Sequence, residues 1–311
     1  MKHKIAVITP VKHLPGVPEM IEKKGEVFYL EEGNKTEVQD LLLYNNIDTI
    51  ICNPNQQTYK IDSWLLDGTN ITLINTCSTG MNHIDVDYCR NAGIKIYSLT
   101  NDYKLINELP STAELAFGLM LSLLRQIPES IKHVTDFKWD YTKFVGRQVK
   151  DLNIGIIGYG RLGKMMAKYC DAFGANVYVY DPYEVSEPDY IDVDIKEMFE
   201  ICDVISLHVH VTPETKYMIN ERLLGISQNK PYIINTSRGE IVYEKHIVHA
   251  LETGIISGYG TDVIENEFDN LAESPIIHAM NKGENIIITP HTGGMTIEGQ
   301  TKAYKWAIDK L

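Results

Sequence analysis

The chain has 311 residues, 44% of them apolar, which is enough for two domains with buried cores of their own. Its 29 basic residues against 42 acidic ones leave a formal charge of −13, which argues against nucleic acid or an anionic membrane as partner; an anionic ligand would need a local cationic site. Five cysteines (Cys52, Cys77, Cys89, Cys170 and Cys202) are odd in number, widely spaced and without a C-x-x-C, so they indicate neither a disulfide framework nor a zinc site, and a reducing, cytoplasmic setting fits best.

The N-terminus has lysines, Lys2 and Lys4, before an apolar run as a signal peptide would, but KIAVITPV is short, β-branched and closed by proline, and it reads as a first strand. Further strand-like runs lie at Val27 to Leu30, Thr49 to Cys52, Ile71 to Asn75 and Ile94 to Tyr97, with helix-like segments such as Thr36 to Tyr44 and Val86 to Ala92 between them. This alternation predicts a parallel sheet covered by helices over the first ~100 residues, with function carried by loops at the strand ends. One such loop, Cys77-Ser78-Thr79-Gly80-Met81, is built of small residues whose backbone N–H groups can hold a carboxylate. The next segment, LPSTAELAFGLMLSLLRQIP, reads as a helix from Thr112 to Gln126, with Ser111 and Glu114 as a capping box and Pro128 as its stop. It is apolar nearly all round, which predicts burial between domains or against another subunit, and its run near Leu115 to Leu124 falls short of the ~20 residues that span a bilayer. Lys138 to Gly146 reads as a loop.

From Asn153 to Asp181 the chain reads NIGIIGYGRLGKMMAKYCDAFGANVYVYD, a strand, a glycine turn, a helix and a second strand. Gly158 permits the tight turn, Gly160 lets a pyrophosphate approach the backbone, and Gly163 lets helix and strand pack closely. The N–H groups around Arg161 and Leu162 would face the phosphates at the positive end of the helix. Asp181, at the end of the second strand, can accept from both ribose hydroxyls of NAD and would repel the 2′-phosphate of NADP. Strands then recur at Val204 to Leu207, Tyr232 to Asn235, Ser257 to Thr261 and Ile286 to Thr289, with helices at Ile195 to Ile201, Tyr243 to Thr253 and Thr296 to Leu311. Polar groups fall where these strands end: His208, Arg238, Asp262 with Glu265 and Glu267, and His291. In an open α/β sheet such positions converge on the ligand crevice. Each alone has an ordinary explanation, in a capped turn, a solvated acidic loop or a structural histidine.

Together the motifs GYGRLG with YDPY, SLHVHVTPET, NTSRGEIV, and TDVIENE followed by TPHTGG resemble the D-isomer-specific 2-hydroxyacid dehydrogenases, and STGMNHID and the STAE helix also look like segments of that family. The likeness runs from about Asn75 to Gly294 and is weak in the first ~70 residues and in the C-terminal tail. It implies two doubly wound parallel-sheet domains, a flavodoxin-like substrate domain (1–102 with 292–311) and a Rossmann NAD-binding domain (103–291), in a cytoplasmic oxidoreductase that dimerises through the nucleotide domain with the Thr112 helix contributing. By the same resemblance Arg238 holds the carboxylate of a small anionic 2-hydroxy or 2-keto acid and polarises its C2 carbonyl, His291 moves the proton, and Glu267 pairs with His291. His208, Thr236 and Asp262 would join the glycine turn in binding NAD, Asp262 at the nicotinamide amide, while Ser78, Thr79 and Gly80 would present N–H groups to the substrate. The roles are chemically sensible, since a guanidinium offers a carboxylate two parallel donors and an imidazole titrates near neutrality. Two departures stand out. His210 replaces the family's usual proline and forms His208-x-His210, for which no third metal ligand is identifiable. Asn53 and Tyr141 stand where phosphoglycerate-specific members place arginines, although LLRQIP and KWDYTKFVG are similar to that branch; specificity is expected around Asn53 to Lys60 and the Tyr141 loop. The competing reading is an NAD(H)-sensing binding protein of the same fold with little or no turnover.

Overall fold

The computed structural model describes residues 3–54, 59–267 and 270–311, so positions 55–58 of the expected specificity stretch lie outside the described residues. The chain forms two compact units, Met1–Leu109 with Gly294–Leu311, and Pro110–Gly293.

The first unit is a five-stranded sheet of β1 (His3–Val7), β2 (Gly25–Tyr29), β3 (Thr49–Cys52), β4 (Leu73–Thr76) and β5 (Lys95–Tyr97), in the order β2-β1-β3-β4-β5. Every pairing is parallel, and the order is that of flavodoxin. Side chains alternate across a strand, so Ile5 and Val7 enter one apolar cluster while Ala6 and Ile8 enter the other. A strand with both faces covered has to be apolar throughout, as these runs are. The first cluster is completed by the C-terminal helix Ile297–Asp309, which contributes Ala303, Tyr304, Ala307 and Ile308. Thr296 caps that helix by accepting from Gly299 N, and Asn75 at the end of β4 donates 2.6 Å to Ala307 O. The tail, weak in family likeness, therefore supplies a face of the first unit's core.

The second unit has seven parallel strands, β6 (Asn153–Ile157), β7 (Asn176–Tyr180), β8 (Ile191–Asp192), β9 (Val204–Leu207), β10 (Tyr232–Asn235), β11 (Gly258–Thr261) and β12 (Ile286–Ile288). Their order, β12-β11-β10-β9-β6-β7-β8, is a Rossmann arrangement whose chain reverses direction of travel between β6 and β9. The apolar helix after Pro110 differs from expectation in its start, its stop and its cover. It spans Ser111–Leu124, its N-cap is Pro110, and no side chain caps it, because Ser111 is already inside the helix rather than before it. Pro128 does not end it; a left-handed Gln126 (φ 49°) does, and Pro128 then opens a second helix, Ile127–Thr135, where a missing N–H costs nothing. Nor does the helix need a foreign surface to cover Ala116, Leu119, Met120 and Leu123. These pack on its own unit's sheet with Ile154, Ile156 and Ile234, each buried Leu, Ile or Met contributing ~1.5–3 kcal/mol and the alanine less. Gly260 of β11 lets it approach, since a Cβ there would lie 3.1 Å from Leu123 Cδ1. Among the described residues no helix is long and apolar enough to cross a membrane.

Candidate active site

The glycine turn between β6 and the helix Arg161–Ala172 is shaped by close approaches. Gly158 has φ 90°, and a Cβ on it would sit 2.5 Å from His208 O; on Gly163 it would meet Gly158 O at 1.9 Å. Gly160, by contrast, faces open space, with nothing within 4 Å of where its Cβ would be. It is also the N-cap of the helix, and no side chain caps that end. A bare helix start beside an open glycine is the chemistry an anionic phosphate needs. Asp181 follows β7 and is held in place by backbone donors: Oδ2 accepts from Tyr159 N (2.7 Å), and Oδ1 from Tyr183 N (2.8 Å) and Glu184 N (3.1 Å). A carboxylate has about four acceptor sites, so roughly one stays for a ribose hydroxyl. That is fewer than the two bonds expected from sequence.

At the neighbouring strand ends lie two buried polar atoms without partners among the described residues, His208 Nδ1 and Thr236 Oγ1. Buried polar atoms are nearly always paired, so orphans beside a glycine turn mark places for a ligand's polar groups, and the residues present fit a dinucleotide. His208 also contacts Ser206 Oγ through Nε2 at 2.8 Å, and burial lowers its pKa to about 4, so it is a neutral ring near pH 7. His210 is exposed, and among the described residues no three His, Cys, Asp or Glu side chains stand together as a metal site.

Beyond β10 the turn is braced by Asn235, which donates to Arg238 O (2.9 Å) and accepts from Ser237 N (3.0 Å). The Arg238 guanidinium is steadied by Nη1 donating 2.6 Å to Ser237 O. Gly239 lets this turn touch the loop after β11: a Cβ would fall 2.1 Å from Ile264 C. That loop carries Glu265 and Glu267. It is held from behind by Glu244, only 4% exposed, whose Oε1 accepts from Glu265 N at 2.7 Å. Burial raises the Glu244 carboxyl to about 7.

After β12 the backbone turns through His291 in a left-handed conformation, φ 53°. Its imidazole Nδ1 lies 2.9 and 3.0 Å from the two oxygens of Glu267. What holds the turn is Asp262, 2% exposed: Oδ1 accepts from Thr289 Oγ1 (2.5 Å) and Thr292 N (2.8 Å), Oδ2 from Gly293 N (2.7 Å), and its carbonyl from His291 N (2.9 Å). Both oxygens of Asp262 are thus engaged by the chain itself, a role that sequence reading, which assigned it to the nicotinamide, did not see. Glu244 and Thr289 were missed as well. Their residue types are unremarkable, and only their burial against a loop distinguishes them. The Arg238 turn thus touches the loop that carries Glu267, and Glu267 in turn holds the His291 ring, all within one unit.

In the first unit the loop after β4 has the carbonyls of Ser78, Thr79 and Gly80 engaged. Ser78 O accepts from Leu99 N (3.0 Å), Thr79 O from Thr100 Oγ1 (2.7 Å), and Gly80 O from Ser78 Oγ (2.8 Å). The N–H groups of Ser78, Thr79 and Gly80 have no acceptor among the described residues. With these carbonyls engaged by the protein, the amides of the loop are left as donors, the kind of group that can hold an anion.

These features define a two-unit α/β protein with a dinucleotide turn, an imidazole–carboxylate pair and an arginine at the strand ends. The family description "D-isomer specific 2-hydroxyacid dehydrogenase, NAD binding domain" matches residues 117–293, and the chain belongs to that family. The glyoxylate reductase of Thermofilum pendens is 31% identical over 274 residues, covering 85% of this chain and 77% of that protein. The D-3-phosphoglycerate dehydrogenase of Methanocaldococcus jannaschii is 32% identical over 238 residues; the match takes in 75% of this chain but only 43% of that longer protein. Among solved structures, the D-lactate dehydrogenase of Aquifex aeolicus complexed with NAD and lactic acid superposes with a TM-score of 0.74 at 26% identity, over 99% of this chain and 94% of that one. The second unit is therefore the family's NAD-binding domain.

Proposed function

We propose that the chain is an NAD-dependent dehydrogenase interconverting a small D-2-hydroxy acid and its 2-keto acid. The observation that carries this reading is the His291–Glu267 pair on the loop that adjoins the Arg238 turn. Because Nδ1 is committed to Glu267, the proton that His291 gives or takes sits on Nε2, and the carboxylate stabilises the ring while it is charged. Arg238 binds the substrate carboxylate and polarises the C2 carbonyl, and the Ser78, Thr79 and Gly80 amides are the first unit's donors to a substrate carboxylate. NAD(H), when bound, supplies the hydride chemistry. Gly158, Gly160, Arg161, Leu162 and Gly163 take its phosphates, Asp181 its ribose, and His208 and Thr236 its remaining polar groups. Asp262 serves that site by holding the His291 turn.

Relatives named glyoxylate reductase and hydroxypyruvate reductase support a small 2-keto acid as substrate. Asn53 and Tyr141, which carry no charge, support an acid without a phosphate. A homodimer is supported by the helix Ile127–Thr135, none of whose residues is buried, and by the 137–145 stretch after it, where Phe137, Trp139 and Tyr141 are 100%, 88% and 84% exposed. An apolar patch of that kind calls for a partner surface, here a second copy, and sedimentation of a Trp139→Ser variant tests it. Five buried free thiols support a reducing, cytoplasmic setting.

The deciding experiment is steady-state NADH oxidation against a panel of 2-keto acids, with Arg238→Lys as control. That variant keeps the charge but loses the bidentate fork, so turnover should fall steeply while NADH binding survives. Turnover on no acid would favour the NAD(H)-sensing reading, and equal turnover by both proteins would remove Arg238 from the carboxylate site.

A further inference from the structure

Beneath the Ser78–Gly80 loop lies a buried histidine that the proposed chemistry does not use. His83 is 5% exposed and its backbone is pinned, its carbonyl accepting from Ile61 N at 2.8 Å while Asp85 N donates 2.8 Å to Ile61 O. Its Nε2 is 3.1 Å from Thr76 Oγ1 and 3.6 Å from Cys52 Sγ, and its Nδ1 is buried without a partner among the described residues. Thr76 Oγ1 is in turn 2.8 Å from Ser78 Oγ, which donates 2.8 Å to Gly80 O.

The proton positions in this chain follow from its last member. Gly80 O can only accept, so the single hydroxyl proton of Ser78 points at it, and Ser78 must accept from Thr76. Thr76 has then used its own proton and must accept from His83, which requires the proton on Nε2. The other tautomer would leave an N–H donor buried with no acceptor at Nδ1 and two acceptors facing each other at Thr76, so both ends of the ring select the same form. Burial also drives the ring's pKa down to about 4, which keeps it neutral.

We propose that His83 is a positioning residue for the substrate-binding loop, acting through a one-way relay from Nε2–H through Thr76 and Ser78 to the carbonyl of Gly80. This inference rests on the reading that the loop binds the substrate carboxylate. With the relay intact, Gly80 O is held toward the protein and the amides of the loop are left to the anion. With it broken, that carbonyl is free to swing out and set a partial negative charge against the carboxylate. The relay therefore tunes substrate affinity and leaves hydride transfer and cofactor binding, which belong to other residues, alone.

The test uses the full-length protein, glyoxylate and NADH, with Thr76→Val, His83→Leu, the two combined, and His83→Gln, whose amide N–H can still donate. Losing one hydrogen bond of the relay should raise KM for glyoxylate about three- to tenfold in Thr76→Val, with kcat and the NADH Kd within about twofold. The combined variant should be no worse than either single one, and His83→Gln should recover most of the affinity. In parallel, 15N spectra of histidine-labelled protein should show His83 protonated at Nε2. An unchanged KM in Thr76→Val, additive losses in the combined variant, or protonation at Nδ1 would each overturn the relay. If Arg238→Lys abolishes turnover while Thr76→Val leaves KM unmoved, the relay alone fails. If neither variant changes KM or turnover, the carboxylate reading is at fault. The spectra need neither turnover nor a variant that folds, so they decide the tautomer in every case.

Discussion

Asp262→Asn changes one atom and should loosen the turn that carries His291. The carboxamide can keep its oxygen at the Oδ1 position, where Thr289 Oγ1 and Thr292 N donate, but it then turns its NH2 toward Gly293 N, a donor now 2.7 Å from Oδ2. Gly293 is closely packed, since a Cβ on it would lie 3.1 Å from Thr112 Cγ2 as well as 3.0 Å from that oxygen. Losing one hydrogen bond to a charged group is worth ~1.5–3 kcal/mol, and a buried N–H left unpaired brings the total to about 3 kcal/mol. For a unit of this size that corresponds to a fall in Tm of roughly 6–12 °C. Turnover should fall with it, because His291 holds φ 53°, a strained conformation for a side-chain-bearing residue, only while its N–H is bound to Asp262 O and the next two residues are tied to the side chain. Scanning calorimetry and steady-state kinetics on the two proteins read both effects. A Tm within 2 °C of the original, on the scale of a neutral surface change, would show that Asp262 does not carry the turn.

Replacing His291 with Gln keeps a hydrogen-bond donor but cannot pass a proton, and kcat for keto-acid reduction should fall ~10²- to 10⁴-fold. In the unaltered protein reduction should slow and hydroxy-acid oxidation quicken as pH rises; an unchanged rate and pH profile in the variant would place the proton elsewhere. Asp181→Ala removes the acceptor of three backbone N–H groups as well as any ribose bond, so NADH should bind more weakly and its preference over NADPH should narrow in fluorescence titrations. Equal affinity for the two cofactors in the unaltered protein would refute the role given to Asp181. Glu244 holds its proton to about 7 instead of 4.5. A group whose folded pKa is raised lends stability that is fully present below 4.5 and is lost as pH climbs through about 7, here about 3 kcal/mol at most. Glu244→Gln should therefore be more stable than the original at pH 8 and flatten the decline of Tm above pH 4.5. Parallel Tm curves would mean that the carboxyl is not desolvated.

The sequence was informative wherever a local rule constrains a residue. Buried parallel strands have to be apolar on both faces, so β1, β3, β6 and β9 stood out as runs, and with them the two doubly wound sheets of the family. Gly163 was legible because the atoms that exclude a Cβ there, Gly158 O and Ile156 Cγ2, come from the turn and the strand that opens it, and Gly158 because the turn itself demands its φ of 90°. What the sequence could not carry was the identity of contacts made across the fold. Helix capping misled at Ser111 because Pro110 already starts the helix, and Pro128 looked like a stop because an opening proline and a closing one have the same local signature. The His291–Glu267 pair joins residues 24 positions apart, and the carboxylates that brace its loops, Asp262 and Glu244, are ordinary acids until burial leaves each facing backbone N–H groups. His83 is the clearest case: in the sequence it is one of ten histidines, and only the close approach of Thr76, Ser78 and Gly80 at the end of β4 decides which of its nitrogens bears the proton. Periodicity and turn chemistry act over a few residues and are written in the chain. Desolvation and long-range hydrogen bonding depend on which neighbours the folded chain brings into contact, and no short window contains them.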